Sequence, residues 1–278
     1  MTDPQPAEDL ARLEAVLRSY GPTITAYSGG VDSTLVAVVA ARVHGERALA
    51  VTGVSASLAT SEREQAGALA TQLGLRHRLI DTHEIERPGY RQNAGDRCYH
   101  CKTELFEQIA ALRGALEASG EAGFAIAYGA TRDDLGDHRP GLRAARELEV
   151  RKPLVEAQLG KPQIRALARA LGLPNHLKPA APCLASRVPA GTRVSPEVLA
   201  QIEAAEAGVR ALGFSGFRVR HHGELARIEL PVAELQRGLE RRVELLAAVK
   251  RAGYRIVTLD LAGYRSGSLN VLSRSAGD

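Results

Sequence analysis

The chain alternates between short apolar runs and longer stretches with helical periodicity. In residues 7–20, Leu10, Leu13, Val16 and Leu17 recur at helical spacing, which predicts an amphipathic helix. Apolar runs predict strands at 23–27, 48–55, 77–81 and 124–129. The stretches between and after them predict helices reaching residue 42, at 61–74 with a Ser61–Glu64 capping box, from 103 onward, and at 161–171. Strands that alternate with helices in this way predict an α/β fold, with a parallel sheet covered by helices on both faces.

The order of the predicted elements changes after residue 190. Ser195 as N-cap and Pro196 at the first helical position predict a helix that runs to Gly213. The remaining elements are expected as strands at 215–222 and 225–230, a helix at 232–252 and a strand at 255–260. This αββαβ order predicts a small α+β domain at 191–278, after a larger domain at 1–190.

A glycine-containing turn connects the strand at 23–27 to the apolar run at 35–41. It consists of Ser28, Gly29, Gly30, Val31, Asp32, Ser33 and Thr34. The glycines permit a tight turn, and a helix N-terminus favours an anion. No lysine follows, which excludes a Walker A loop, and an aspartate suits an anion accompanied by Mg²⁺. On spacing alone, an ordinary strand–turn–helix corner is the alternative.

Composition narrows the classes of partner. The 278 residues are 45% hydrophobic, enough for one large domain or two. A net charge of +4 without a dense Lys/Arg run favours small anionic substrates, so we expect no nucleic-acid partner. The N-terminus resembles no signal peptide and no apolar run is long enough to span a bilayer. We therefore expect a cytoplasmic protein with no membrane partner.

Three cysteines are too few for a disulfide framework. Cys98 and Cys101 form a Cys-x-x-Cys pair ahead of the predicted helix, and Cys183 stands in a proline-containing loop at 178–187. Three thiolates at one site would leave a position open, as in an iron–sulfur cluster with one unprotected iron. Half a zinc site, a redox disulfide and three ordinary thiols remain alternatives on this spacing.

Arg218, Arg220 and His222 alternate along a predicted strand and therefore point to one face of it. A row of guanidinium groups can bind a phosphate, whereas a solvated sheet face is the alternative. In the polar loop after the strand at 124–129, Asp133, Asp134 and Asp137 could ligate Mg²⁺ or orient Arg139, or lie on a surface turn.

The run at 28–33 resembles the PP-loop of the ATP pyrophosphatases, which split ATP into AMP and pyrophosphate. Four further runs resemble the LarE family, the ATP-dependent sulfur transferases that build the nickel-pincer nucleotide cofactor of lactate racemase. They are 182–187 (Pro-Cys-Leu-Ala-Ser-Arg), 218–223, 261–268, and 129–134 with 139–141. The resemblance extends from about residue 10 to 272.

This resemblance implies that ATP, with Mg²⁺, adenylylates a carboxylate of a pyridinium dicarboxylate mononucleotide, which then becomes a thiocarboxylate. It implies that residues 28–34 and Gly129 bind the nucleotide and that Asp32 and Cys183 are catalytic. It also implies that Arg187, Arg218 and Arg220 bind the substrate phosphate. The smaller domain is then expected to serve substrate binding or oligomerisation, in a homo-oligomer.

Single-cysteine members of the family sacrifice the cysteine matched by Cys183, which becomes dehydroalanine. Because this chain adds Cys98 and Cys101, it is instead similar to thiolases that hold a [4Fe-4S] cluster with three thiolates. The resemblance thus implies that Cys98, Cys101 and Cys183 are cluster ligands. The sulfur source is left open between the cluster, a persulfide and Cys183 itself.

Two other readings stay open from the sequence. One is another PP-loop enzyme, either a tRNA thiolase or an amidating ligase; the modest charge and the lack of room for a glutaminase domain disfavour them. The other is a non-catalytic protein that binds a nucleotide or a cluster. An intact loop at 28–34 together with a loop cysteine disfavours it.

Overall fold

The computed structural model describes residues 4–134 and 140–265. Contacts divide the chain into two units. The first unit comprises Met1–Arg87 and Asp96–Ala181, and the second comprises Pro88–Gly95 and Pro182–Asp278. We predicted one boundary, after residue 190. The contacts instead change unit between residues 181 and 182, and they add a short segment from within the first unit's sequence to the second unit.

Helices and strands of the described residues are numbered in chain order. The helices are α1 Pro4–Tyr20, α2 Val31–His44, α3 Thr60–Gln72, α4 Pro88–Gln92, α5 Arg97–Ala118, α6 Pro140–Glu147, α7 Pro153–Glu156, α8 Lys161–Ala170, α9 Pro196–Ala211, α10 Leu235–Glu240 and α11 Arg242–Arg251. The strands are β1 Thr23–Ala26, β2 Ala48–Val54, β3 His77–Asp81, β4 Ala125–Tyr128, β5 Arg218–His222, β6 Leu225–Glu229 and β7 Ile256–Leu259.

The first unit is built on a four-stranded sheet in the order β3-β2-β1-β4. All of its pairings are parallel; in register, Ile24 of β1 stands opposite Leu49 of β2 and Ile126 of β4. The carboxyl ends of all four strands therefore meet at one edge, where ligands of such sheets bind. The α/β prediction is confirmed.

Helices cover both faces of this sheet, as predicted. On one face, Ile24, Leu49 and Ile126 pack with Phe106 and Ile109 of α5. On the other face, small residues of the strands pack against α1, α2 and α8, in a cluster that includes Leu13, Leu35, Ala48, Ala127 and Leu167. Burial from both sides explains why β2 and β4 are nearly continuous apolar runs, whereas the edge strand β3 is half-buried or exposed along its length.

The second unit contains a three-stranded sheet in the order β5-β6-β7. Strands β5 and β6 pair antiparallel and β6 and β7 pair parallel. Phe214, Tyr254 and Val249 belong to its core. Helix α9 begins as predicted, since the Ser195 side chain accepts a hydrogen bond from the Val198 N–H and Pro196 opens the helix. The predicted αββαβ order is present, with the second helix divided.

Three local predictions are wrong. Helix α3 begins at Thr60, with Ala59 as N-cap and no side-chain cap, so Ser61 opens no capping box. The helix expected at 232–252 breaks at Arg241, whose guanidinium donates to Leu212 O over 2.7 Å. Helix α5 begins at Arg97 and contains Cys98 and Cys101, which were expected ahead of it. At Arg241 a tertiary contact prevails over the local pattern.

Parts of two motifs fall outside the described residues, namely Asp137 and Arg139 of the polar loop and 266–268 of the closing run. Among the helices of residues 4–134 and 140–265, none has both the length and the apolar character needed to cross a bilayer.

Candidate functional site

The loop at 28–34 leaves the carboxyl end of β1 and opens α2. Gly29 has a positive φ of 69°, and a Cβ there would lie 3.0 Å from the Cα of Ala66. The positive φ favours glycine, and the close approach of Ala66 leaves little room for a side chain. Gly30 is the N-cap of α2 in an extended conformation. Because Gly30 has no side chain with which to cap the helix, the N-terminus of α2 presents its backbone N–H groups at the loop, as anion sites do.

Hydroxyl groups hold the loop in shape. The Ser28 N–H donates to Ser33 Oγ over 3.1 Å, and Ser33 Oγ donates to Gly30 O over 3.2 Å. The amide of Asn175, which is buried, donates to Gly29 O and to Thr34 Oγ1 over 3.1 and 2.9 Å. Sequence reasoning missed Asn175, because it lies far from the loop along the chain.

Gly129 follows β4 and packs directly onto the loop. A Cβ at this position would lie 2.8 Å from Ser33 N and 3.0 Å from the carbonyl carbon of Asp32. Such distances are shorter than real Cβ contacts allow, so only glycine fits without moving the loop. The structure thus brings Gly129 together with residues 28–34, the set expected to bind the nucleotide.

Lys161 supplies the cation that the loop itself lacks. Its Nζ lies 2.5 Å from Asp32 Oδ2, and its backbone N–H donates to Asp133 Oδ2 over 2.6 Å. Sequence reasoning missed this residue. A signal was present, since a lysine in the first turn of α8 opposes the helix dipole and therefore needs another reason to be there.

The aspartates after β4 hold backbone in place. Asp133 accepts from the first N–H of α8, and Asp134 Oδ2 accepts from the N–H and hydroxyl of Thr131 over 2.8 and 3.0 Å. We considered Mg²⁺ ligation, orientation of Arg139 and a surface turn for these aspartates. The described contacts show that Asp133 and Asp134 bind backbone N–H groups at the edge of the site. Asp133 also links the end of β4 to the helix that carries Lys161.

Cys98 and Cys101 lie three residues apart in the first turns of α5 and so share one side of the helix. Cys98 is exposed and Cys101 half-buried, and neither forms a disulfide. Nearby, His100 Nε2 lies 3.1 Å from Asp96 Oδ2. Across residues 4–134 and 140–265, no three His, Cys, Asp or Glu side chains are grouped as metal ligands.

Cys183 belongs to the second unit. It precedes a single turn of 3-10 helix, Leu184–Arg187, and its carbonyl accepts from Ser186 N–H over 2.9 Å. Arg187 is buried, with 6% exposed, and forms a bidentate pair with Glu206 at 2.9 and 3.0 Å. Its Nη1 donates to the carbonyls of Pro182 and Cys183 over 2.6 and 3.0 Å.

Arg218 and Arg220 do not form the solvated face that was the alternative. Arg220 is buried and pairs with Glu229, with Nε 2.9 Å from Oε2. Arg218 is half-buried, with its guanidinium 4.9 Å from the ring centre of Tyr264. Burial lowers the pKa of Arg218, and repulsion from Arg187 and Arg220 lowers it further. An anion bound here would offset this repulsion.

A lysine-free glycine loop at the carboxyl end of a parallel strand, opening a helix and facing an aspartate–lysine pair, defines a nucleotide-binding α/β protein of the PP-loop class. The sequence model of the asparagine synthase family matches residues 13–90, which include this loop.

Comparison with known proteins extends beyond the loop. An uncharacterized protein of Synechocystis sp. is 43% identical over 265 residues, covering 94% of this chain and 97% of that protein. The pyridinium-3,5-bisthiocarboxylic acid mononucleotide synthase of Lactiplantibacillus plantarum is 35% identical over 261 residues, covering 94% and 93%. An uncharacterized protein of Methanocaldococcus jannaschii is 28% identical over 243 residues, covering 87% and 90%. The chain belongs to the family of this mononucleotide synthase, the LarE family.

Proposed function

We propose that this chain is an ATP-dependent sulfur transferase that acts on a pyridinium dicarboxylate mononucleotide. The observation that carries the proposal is the 35% identity to the Lactiplantibacillus plantarum synthase over 261 residues, which covers 94% of this chain and therefore extends into both units. A substrate carboxylate oxygen attacks the α-phosphorus of ATP, the bond to the β-phosphate breaks, and pyrophosphate leaves. A sulfide then attacks the acyl carbon and AMP leaves, which yields the thiocarboxylate. If the Cys183 thiolate attacks instead, AMP leaves and a thioester forms, and elimination of the Cα proton with cleavage of the Cβ–S bond releases the thiocarboxylate and leaves dehydroalanine.

The first unit provides the groups that adenylylation requires. Backbone N–H groups at the N-terminus of α2 would bind the pyrophosphate, and the Lys161 ammonium would stabilise its negative charge. Asp32 is an oxygen ligand that suits Mg²⁺, since the phosphates of ATP provide most of the remaining ligands. Bound Mg²⁺ would neutralise charge on the leaving pyrophosphate.

In the second unit, Cys183 is the proposed site from which sulfur reaches the acyl carbon, and Arg218 is the proposed ligand of the substrate phosphate. The lowered pKa of Arg218 supports this, because a phosphate would stabilise its charged form. Arg187 and Arg220, also expected at the phosphate, are each paired with a buried glutamate. Both remain proposed contributors to the positive potential there.

We propose further that Cys98, Cys101 and Cys183 hold a [4Fe-4S] cluster. The i, i+3 spacing of two thiols in the first turns of α5 supports this, because a helix N-terminus favours thiolates. Cys183, the third proposed ligand, belongs to the second unit. When bound through three thiolates, such a cluster has an iron open to an exogenous sulfide.

Product analysis tests the proposed reaction. With ATP and the pyridinium dicarboxylate mononucleotide, the protein is expected to release AMP and pyrophosphate, and Asp32→Ala is expected to abolish AMP formation. The exposed carboxylate of Glu46 gives a control, since Glu46→Ala is expected to leave AMP formation unchanged. Release of ADP and phosphate would contradict the proposal.

Iron and sulfide analysis after anaerobic purification tests the cluster. We expect iron in the wild-type protein, its loss in the Cys98→Ala, Cys101→Ala double variant, and many products per protein with Cys183 retained. The alternative is sacrifice of Cys183. It predicts one product per protein and a Cys183 peptide lighter by one H₂S, with the double variant fully active.

A further inference from the structure

Two buried arginine–glutamate pairs converge on the segment that carries Cys183. Arg187 binds Glu206 and Arg220 binds Glu229, and we call these four residues the arginine clamp. Their exposed fractions are 6% for each arginine, 3% for Glu206 and 0% for Glu229. Charges so deeply buried are costly unless they are paired and fully hydrogen-bonded, so their presence calls for an explanation.

The clamp holds the backbone of the Cys183 segment. Arg187 Nη1 donates to Pro182 O, Cys183 O and Ser186 Oγ over 2.6, 3.0 and 3.0 Å. Arg220 Nη1 donates to Ser186 O over 3.0 Å. The two guanidinium groups thus bind carbonyls on both sides of Leu184 and Ala185. This loop has little regular backbone pairing, so these side-chain bonds replace it.

The glutamates tie the two arginines to the rigid part of the unit. Glu206 lies on α9 and accepts from Arg187 Nε and Nη2, and its Oε1 also accepts from the Val219 N–H of β5 over 3.1 Å. Glu229 lies on β6 and accepts from Arg220 Nε, while its Oε1 accepts from Arg227 Nη2 over 2.9 Å. Each carboxylate fixes the plane of one guanidinium, as bidentate and charge-assisted bonds do.

We propose that Glu206 and Glu229 are positioning residues for Cys183. They orient Arg187 and Arg220, whose donors fix the backbone at residues 182–186 and hence the direction of the Cys183 thiol. The proposal rests on the proposed function, in which sulfur reaches the acyl carbon at Cys183. A displacement of the reacting sulfur by about 1 Å is enough to slow such a step on the order of a hundredfold.

The tests use Glu206→Gln and Glu229→Gln in the full chain, because each keeps the size of the side chain and removes its charge. We expect thiocarboxylate formation to fall at least tenfold in kcat, with the KM for the mononucleotide and the rate of pyrophosphate release in the first turnover changed less than twofold. Glu224→Gln is the matched control, since Glu224 pairs with Arg255 on the exposed surface. It should leave every quantity unchanged.

Two measurements need no turnover and so separate this proposal from the proposed function. Hydrogen exchange of the peptide 182–188 should accelerate at least tenfold in both variants. In protein from which iron has been removed with a chelator, alkylation of Cys183 by iodoacetamide should accelerate relative to that of Cys98. If the wild-type protein makes no thiocarboxylate, the proposed function fails while the exchange still reports on the clamp. Unchanged exchange and alkylation in both variants would overturn the clamp.

The kinetic outcome also separates positioning from substrate binding. A rise in KM for the mononucleotide with unchanged kcat would assign the pairs to the substrate and overturn the positioning role. Should the Gln variants not fold, Ser186→Ala removes one Arg187 contact and leaves both ion pairs intact. It should then accelerate exchange at 182–188 without lowering the melting temperature, and no acceleration would count against the clamp.

Discussion

Gly129 shows how a single hydrogen atom in place of a side chain shapes the proposed nucleotide site. The end of β4 and the loop at 28–34 approach so closely that a Cβ on Gly129 would lie 2.8 Å from Ser33 N. Asp32, which also borders Gly129, must remain within reach of Lys161. The position of the loop therefore depends on the close packing of the Gly129 backbone against Asp32 and Ser33.

Gly129→Ala is expected to lower AMP formation at least tenfold, because the loop must shift away from the new methyl group. Gly114→Ala is the matched control. Gly114 lies within α5, and a Cβ there would meet nothing within 4 Å. That change should leave AMP formation intact and stabilise the helix by about 0.5–1 kcal/mol. Rapid steady-state assays of AMP on both variants check the prediction, and equal activity would contradict it.

Arg218 provides a second test at the residue scale. Loss of a charge-assisted hydrogen bond costs about 1.5–3 kcal/mol, so Arg218→Ala should weaken mononucleotide binding roughly tenfold or more. Calorimetric titration would measure this, with ATP affinity expected to stay the same. Arg255→Ala, at an exposed arginine of the same unit, serves as the control. Equal mononucleotide affinity in wild type and Arg218→Ala would remove Arg218 from the phosphate site.

At the scale of elements, the segment Pro88–Gly95 contributes to the second unit through α4 and the residues after it. Asn93 has a left-handed backbone, with φ of 54°, and its amide donates to Pro189 O and Thr192 O over 2.8 and 3.0 Å. The backbone adds bonds from Gly191 N to Asn93 O and from Val194 N to Arg91 O. These contacts fasten the segment to residues 189–194.

Asn93→Asp should destabilise the second unit, because a carboxylate would replace an amide donor that faces two carbonyl oxygens. The loss is expected to be about 1–3 kcal/mol or more, the cost of leaving buried polar groups unsatisfied. Denaturant unfolding followed by hydrogen exchange would locate the loss at 189–194. Gln65→Glu, an exposed amide-to-carboxylate change in the first half of α3, should cost almost nothing. An equal effect of the two changes would refute this role of Asn93.

The elements differ in how far their sequence determines them. Strands β2 and β4 were predictable because burial on both faces leaves them almost wholly apolar. Helix α9 was predictable because Ser195 and Pro196 mark its start. The roles of Lys161 and Asn175 could not be predicted, since each contacts the loop at 28–34 from more than a hundred residues away along the chain. The role of Pro88–Gly95 was hidden for the same reason, because local patterns record propensity and not distant partners.

At the scale of the whole molecule, three histidines that are buried or half-buried couple stability to pH. Burial lowers the pKa of His77 in the first unit and of His221 and His222 in the second. As pH falls through about 6.5, these histidines bind protons in the unfolded chain but stay neutral in the folded protein. Stability is thus expected to decrease with acid in this window. Burial raises the pKa of the Glu104 carboxylate, but hydrogen bonds from the His83 N–H and from Arg87 outweigh burial and lower this pKa overall. Glu104 therefore adds a loss of stability only at lower pH, where its carboxylate takes up a proton.

Urea unfolding at pH 7.5 and pH 5.5 checks this expectation, with a lower midpoint at the acidic pH. His221→Gln should show a smaller decrease of the midpoint, since the change removes one group that resists protonation. The glutamine amide can still form a hydrogen bond with the Tyr254 hydroxyl, as His221 does. The exposed His83 gives the control, and His83→Gln should keep the full decrease. A wild-type midpoint that rises at pH 5.5 would reverse the sign and refute the argument.

The placement of Pro88–Gly95 also bears on how such chains can recombine. The path of the polypeptide changes unit at 87/88, 95/96 and 181/182. Consider a chimera of this chain and a relative that is made by one crossover near residue 182. Its second unit would combine Asn93 from one parent with residues 189–194 from the other, so the contacts between them would join two parents. An exchange of intact units therefore needs three junctions, and genetic shuffling with single crossovers is expected to yield few stable hybrids.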